Sequence, residues 1–172
     1  MNAPESAVIL IVEDQEDDIL LIRKAFARAR LSNPLHAVRN GEEAIAYLMG
    51  DPPYHNRIEH PLPDIILLDL KMPKLDGFET LMWIRNQPGV RNTPVIVLTS
   101  SDDIKDVNKA YALGANSFLV KQMDFQDSAQ LMRTIHAFWI KASRRPETFR
   151  PAPQPVPLAS DTPASETSAS SI

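Results

Sequence analysis

The chain of 172 residues has no cysteine, which excludes disulfides and thiolate zinc sites but leaves the compartment open, since many periplasmic proteins also lack cysteine. It has no basic excess either: 18 Lys and Arg stand against 22 Asp and Glu. Without a basic stripe to follow a phosphate backbone, direct nucleic-acid binding is not expected. Long hydrophobic runs are missing too. The N-terminal MNAPESAVILIV has no basic n-region and an apolar run of only five residues, which makes neither a signal peptide nor a membrane span. A cytoplasmic protein without a membrane partner is therefore expected.

What is present is enough apolar residue, 44%, for the full core of one ordinary domain. From Arg144 onward the composition becomes RRPETFRPAPQPVPLASDTPASETSASSI, almost free of large apolar side chains. Such a segment cannot bury enough surface to offset its ordering entropy. Residues 1–143 are thus expected to form the folded domain, with 144–172 a disordered tail rich in Pro, Ala, Ser and Thr.

Before the tail, short apolar runs alternate with segments of helical period. The runs are Val8 to Val12, a weaker Leu35 to Val38, Ile65 to Leu70, Val95 to Leu98 and Phe118 to Val120. Continuous apolar runs of this length predict strands covered on both faces. Helices are predicted over about 17–30, 41–49, 77–87, 103–113 and 125–143. Glu16, Asp17 and Asp18 complement the positive end of the first helix, and Asn40 with Gly41 fits the start of the second. Five strand and helix repeats predict an α/β fold: a doubly wound, five-stranded parallel sheet of flavodoxin-like order 2-1-3-4-5. Ligands in such sheets bind beyond the carboxyl ends of the strands, between the first and third.

The residues that land on that rim are Glu13 and Asp14 after the first run, Asp69 after the third, Thr99 after the fourth and Lys121 after the fifth. Any one of them has a structural explanation, because strands commonly end in polar residues and Asp14 or Asp17 can cap a helix. Three carboxylates converging on one switch point are harder to explain, since their repulsion raises at least one pKa. Oxygen-only ligands without nearby His or Cys suit a hard cation such as Mg2+, which would leave Asp69 ionised for attack on phosphorus. Lys121 and Thr99 would supply a positive charge and a hydrogen bond to a phosphoryl group.

Glu13-Asp14, Asp69, Thr99 and Lys121, with Met72-Pro73, Asp76-Gly77 and Gly114-Ala115, resemble the receiver domain of two-component response regulators over about residues 7–143. The resemblance implies that Asp69 accepts phosphate from a sensor histidine kinase, and that Glu13, Asp14, Asp69 and the Lys71 carbonyl surround Mg2+. It also implies that Thr99 and Phe118 form a switch, although without the resemblance Phe118 reads more plainly as a core aromatic. The ending AFWI and the long loop before the third strand resemble lone receivers that partner with bacterial phytochrome kinases. Lys71 reads either as a solvated loop lysine or as a group that tunes the lifetime of the phosphorylated state.

One residue of the family pattern is missing: Gln122 follows Lys121 where the family usually has a proline, often cis. A cis bond without proline costs about 3–4 kcal/mol, so a trans Lys121-Gln122 bond and a rearranged loop are expected. With no composition of a second folded domain, output by docking or relay is expected. On the last helix, Leu131, Ile135, Phe138 and Ala142 make one stripe, which Met132 and Trp139 widen. Adjacent Phe138 and Trp139 point about 100° apart, so one core cannot hide both. The excess is read as a homodimer surface, the alternative being a Trp139 that lies along the core edge.

Three other readings compete with this one. A flavodoxin would wrap phosphate with small residues, whereas this first loop is EDQEDD. An aspartyl phosphatase needs a second acid two residues after its nucleophile, where Lys71 stands. A pseudo-receiver binding partners without phosphorylation is opposed by the complete acceptor set but left open by Gln122. His55 and His60 fall in a proline-broken loop and do not have metal-ligand spacing, and His36 and His136 read as ordinary strand and helix residues.

Overall fold

The structure, a computed structural model, describes residues 6–121 and 124–143, apart from the side chain of Phe125. The expected tail at 144–172 and the Lys121-Gln122 peptide bond lie outside the described residues. Five strands, β1 (Ile9–Val12), β2 (Leu35–Val38), β3 (Ile65–Leu68), β4 (Val95–Thr99) and β5 (Ser117–Val120), pair in parallel in the order β2-β1-β3-β4-β5. The helices are α1 (Glu16–Arg28), α2 (Gly41–Met49), α3 (Gly77–Asn86), α4 (Ile104–Ala112) and α5 (Phe125–Ile135), and α5 runs on into a π-helical extension, His136–Ala142. The expected α/β doubly wound fold is therefore the observed one.

Strand alternation divides the core into two layers. Ile9, Ile11, Ile65, Leu67, Ile96 and Leu98 face α1 and α5, where they meet Ile22, Phe26, Met132, Ile135 and Ile140. Leu10, Val12, Ile66, Leu68 and Val95 face the opposite way, onto Tyr47, Leu48, Leu81 and Ile84 of α2 and α3. β1 and β3, buried at every position, have apolar residues of both parities because both of their faces are covered.

Local chemistry fixes where the helices begin. Asp76 and Glu79 form a reciprocal capping box at α3, and Asn40 accepts the Glu43 N–H at α2. Both satisfy helix N–H groups that have no carbonyl within the helix. Behind the Asp76 cap, Gly77 donates to Leu70 O at 3.0 Å. A Cβ there would lie 2.2 Å from Asp69 O and 2.6 Å from Leu70 Cα. A side chain at 77 would thus push α3 off the end of β3, where Asp69 sits.

The apolar stripe expected on the last helix breaks at its end. Ala129, Met132, Ile135, His136 and Ile140 are buried, whereas Phe138 is 57% exposed and Ala142 is also exposed. Ala129, Met132, His136 and Ile140 follow one another at helical spacing, so the face they form holds Ile140 and leaves Phe138 outside it. At its end the winding widens, and Ser143 N–H reaches back five residues to Phe138 O at 2.8 Å. Trp139 is half-buried against the α1/α5 layer and meets the Phe138 ring edge-on, centroids 5.0 Å apart.

The long segment between α2 and β3 is held to the body of the protein. The Arg57 guanidinium donates to the carbonyls of Tyr47, Leu48 and His60, supplying partners to the open end of α2. The Tyr47 hydroxyl donates to Pro61 O at 2.8 Å, and the rings of His36, Tyr47, Tyr54 and His60 pack together. This loop, read from sequence as surface, is a strap with a fixed seat.

Candidate functional site

The strand register brings the acids together. Val12 pairs with Leu68, and the ladder continues one residue further as Asp69 N–H donates to Val12 O at 2.9 Å. Glu13 N–H donates to Val38 O at 3.0 Å on the other side of β1. Glu13 and Asp69 therefore leave adjacent strands side by side with the same parity, toward the α1/α5 face. Asp14 follows in the turn to α1. One carboxylate oxygen from each of Glu13, Asp14 and Asp69 lies within 4.8 Å of the others.

These oxygens are not all satisfied by protein donors. Asp69 Oδ1 accepts the Leu70 N–H at 2.8 Å, Glu13 Oε1 the Gln15 N–H at 3.1 Å, and Asp14 Oδ2 the Gln15 side-chain amide at 2.7 Å. Asp14 Oδ1 is buried and has no hydrogen-bond partner. A buried acceptor without a donor is costly. A hard divalent cation, which takes carboxylate oxygens and retains waters, fits both the orphan oxygen and the oxygen-only donor set.

The cation that the protein itself brings is Lys121. Its ammonium lies 2.5 Å from Glu13 Oε2, 2.7 Å from Asp18 Oδ2 and 3.6 Å from Asp69 Oδ2. Lys121 stands one residue past β5 with the parity of Leu119, which packs in the α1/α5 layer. Its backbone is anchored by its N–H to Thr99 O at 2.8 Å. Burial lowers the Lys121 pKa, but hydrogen bonds to Asp18 and Glu13 and the charges of Asp69 and Glu13 together outweigh it and leave the pKa raised. Glu13 is also raised, because burial outweighs the pull of Lys121, while the Asp69 charge adds less. The two partners differ in this because Lys121 has three acids around it and the almost fully buried Glu13 has one ammonium. Like-charge repulsion, the cause expected from sequence, is thus the smaller one.

Asp18 was read from sequence only as a charge favouring the N-terminus of α1. Its contact with Lys121 was legible in principle: the strand parity that sends Lys121 to the α1 side sends it toward the first turn of that helix. Thr99, at the end of β4, is fully buried, and its hydroxyl accepts the Ser101 N–H at 3.4 Å. It shares the opposite face of the sheet with Val97, whose register partner is Phe118. Phe118 is half-buried, packed against Leu70, Val97 and Ala110, and its N–H donates to the Tyr111 hydroxyl at 3.2 Å. The structure thus brings Glu13, Asp14, Asp69 and Lys121 together, and among the described residues Thr99 is linked to them through the Lys121 backbone. The Lys71 side chain is exposed, and no helix among the described residues is long and apolar enough to cross a membrane.

The chain is 34% identical to FilR2, a probable methanogenesis regulatory protein of Methanothrix harundinacea, over 85% of this chain and 92% of that one. It is 35% identical to response regulator Rcp1 of Synechocystis, over 84% of this chain and 95% of that one. Rcp1 has been solved in a Mn2+-bound form, with a TM-score of 0.72 over 82% of this chain and 99% of that one. The phosphorylated cyanobacterial phytochrome response regulator RcpA, 35% identical, superposes with a TM-score of 0.75 over 83% of this chain and 99% of that one. Residues 9–133 match the response regulator receiver domain, and the chain belongs to that family.

Proposed function

We propose that in the cytoplasm Asp69 accepts a phosphoryl group from a phosphohistidine of a sensor histidine kinase, and that this charge change switches a partner-binding surface. An Asp69 carboxylate oxygen attacks phosphorus; the new O–P bond forms as the N–P bond of the donor breaks, and its electron pair returns to the imidazole, which takes a proton from solvent. The observation that supports this best is the convergence of Glu13, Asp14 and Asp69 within 4.8 Å, with a buried oxygen of Asp14 left unpartnered.

Glu13, Asp14, Asp69 and the Lys71 carbonyl would hold Mg2+, which when bound offsets the repulsion of the acids and the charge of the incoming phosphoryl group. Lys121, already 3.6 Å from Asp69 Oδ2, turns to a phosphoryl oxygen. Thr99 exchanges its 3.4 Å contact with Ser101 N–H for a stronger charge-assisted bond to phosphate. Its movement frees space on the face it shares with Phe118, whose ring turns inward and repacks the surface of α4, β5 and α5. Phosphate acts by binding one of two arrangements better.

A bacterial phytochrome is the kinase to test first, on the likeness to Rcp1 and RcpA. Phe138, exposed and braced by Trp139, is the centre of the homodimer surface we propose on the last helix. The direct test is labelling with acetyl phosphate, comparing wild type with Asp69→Asn, with Mg2+ and with chelator. Labelling of wild type alone, abolished by chelator, supports the reading. Labelling that survives Asp69→Asn, or turnover of a generic phosphomonoester, contradicts it.

A further inference from the structure

We infer that Asp18 is a positioning residue for the phosphoacceptor site: it draws the Lys121 ammonium off Glu13, so that lysine and metal ion can occupy the site together. The inference rests on the reading of Glu13, Asp14 and Asp69 as the metal-holding acids. Three carboxylates surround Lys121 Nζ, and two of them, Glu13 and Asp69, belong to that set. The third, Asp18, lies 2.7 Å away on α1 and is outside it.

A dication entering among Glu13, Asp14 and Asp69 meets an ammonium already bonded to Glu13. The two positive charges repel and compete for the same carboxylate. Lys121 cannot retreat with its backbone, because its N–H is tied to Thr99 O; only its side chain can turn. With the side chain 18% exposed, retreat without an acceptor would leave a poorly solvated ammonium unpaired. Asp18 provides that acceptor. Its own side chain is 33% exposed, and it sits on the first turn of α1 regardless of the metal. Asp17, its neighbour on the same turn, carries the same charge but is exposed and makes no contact with Lys121 among the ion pairs described.

The test is a cycle of Mn2+ affinities, measured by calorimetry on the full chain for wild type, Asp18→Asn, Lys121→Gln and the double variant, with Asp17→Asn as the control for lost helix charge. Asp18→Asn is expected to weaken Mn2+ binding about fivefold, Asp17→Asn less than about twofold, and Asp18→Asn on the Lys121→Gln background less than about twofold. A purely structural or long-range electrostatic role would not distinguish the two backgrounds. Equal losses with and without Lys121, or equal losses from Asp17→Asn and Asp18→Asn, overturn the role of Asp18 while leaving the metal site intact. Absence of Mn2+ binding by wild type overturns both the inference and the reading it rests on. Circular dichroism melts of each variant identify any that fail to fold, and for an unfolded Asp18→Asn the cycle is repeated with Asp18→Ser, on which the same outcomes decide.

Discussion

Lys121 and Glu13 stand 108 positions apart in sequence and 2.5 Å apart in space. This pair spans the sheet from β5 to β1 and neutralises the most deeply buried acid of the site. Removing the ammonium in Lys121→Met leaves Glu13 buried without its counterion, and is expected to cost about 3–5 kcal/mol of unfolding free energy at neutral pH. Mg2+ should restore part of the loss by taking over as counterion. Urea midpoints with and without Mg2+ check both; a Lys121→Met midpoint that does not respond to Mg2+ contradicts the metal assignment.

His36 offers a pH signature away from the site. Burial, then the neighbouring His60, then Arg23, hold its pKa below the ordinary 6.5. The unfolded chain then binds a proton near pH 6.5 that the folded chain refuses until lower pH. In that window the unfolded state holds more protons, so stability rises with pH and is lost as pH falls from neutral below 6.5. Urea midpoints should fall between about pH 7 and 5, less steeply in His36→Phe, which keeps a ring beside Tyr47. Parallel curves for the two proteins would exclude His36 as the source.

Gly77 is expected to tolerate no side chain. A Cβ 2.2 Å from Asp69 O and 2.6 Å from Leu70 Cα meets backbone, which cannot rotate away. Gly77→Ala should cost about 1–3 kcal/mol and, by displacing Asp69, weaken metal binding as well. Thermal melts and Mn2+ titration measure the two effects, and an unchanged melting temperature would refute the close approach.

Arg57 should control the strap between α2 and β3. Its guanidinium serves three carbonyls, so Arg57→Ala is expected to destabilise by about 1–3 kcal/mol and to expose residues 50–64 to limited proteolysis. Cleavage sites mapped by mass spectrometry would show this, and equal resistance in both proteins would contradict it.

The fold was legible because its strands are continuous apolar runs, and a run buried on both faces is hard to mistake. Glu13, Asp14 and Asp69 were legible as a group because strand ends and parallel order fix where they fall. Asp18 was not, since a charge at a helix start already has a sufficient local reason and its cross-sheet partner is far off in sequence. The core stripe of the last helix was less legible: its buried face runs through Ala129, Met132, His136 and Ile140 rather than Leu131, Phe138 and Ala142, and a buried histidine does not mark itself as core in an apolar pattern. The seat of the strap escaped notice because Arg57 acts through backbone carbonyls, which leave no mark in a residue pattern.

The central claim is that Asp69 carries the phosphoryl group. Protein labelled with acetyl phosphate and Mg2+ can be trapped with borohydride, which reduces an aspartyl phosphate to homoserine, and the modified position then read by peptide sequencing in the mass spectrometer. Conversion at position 69, lost in Asp69→Asn and in chelator, is the predicted result. Conversion at another acid, or none in protein that binds Mn2+ normally, would contradict the account.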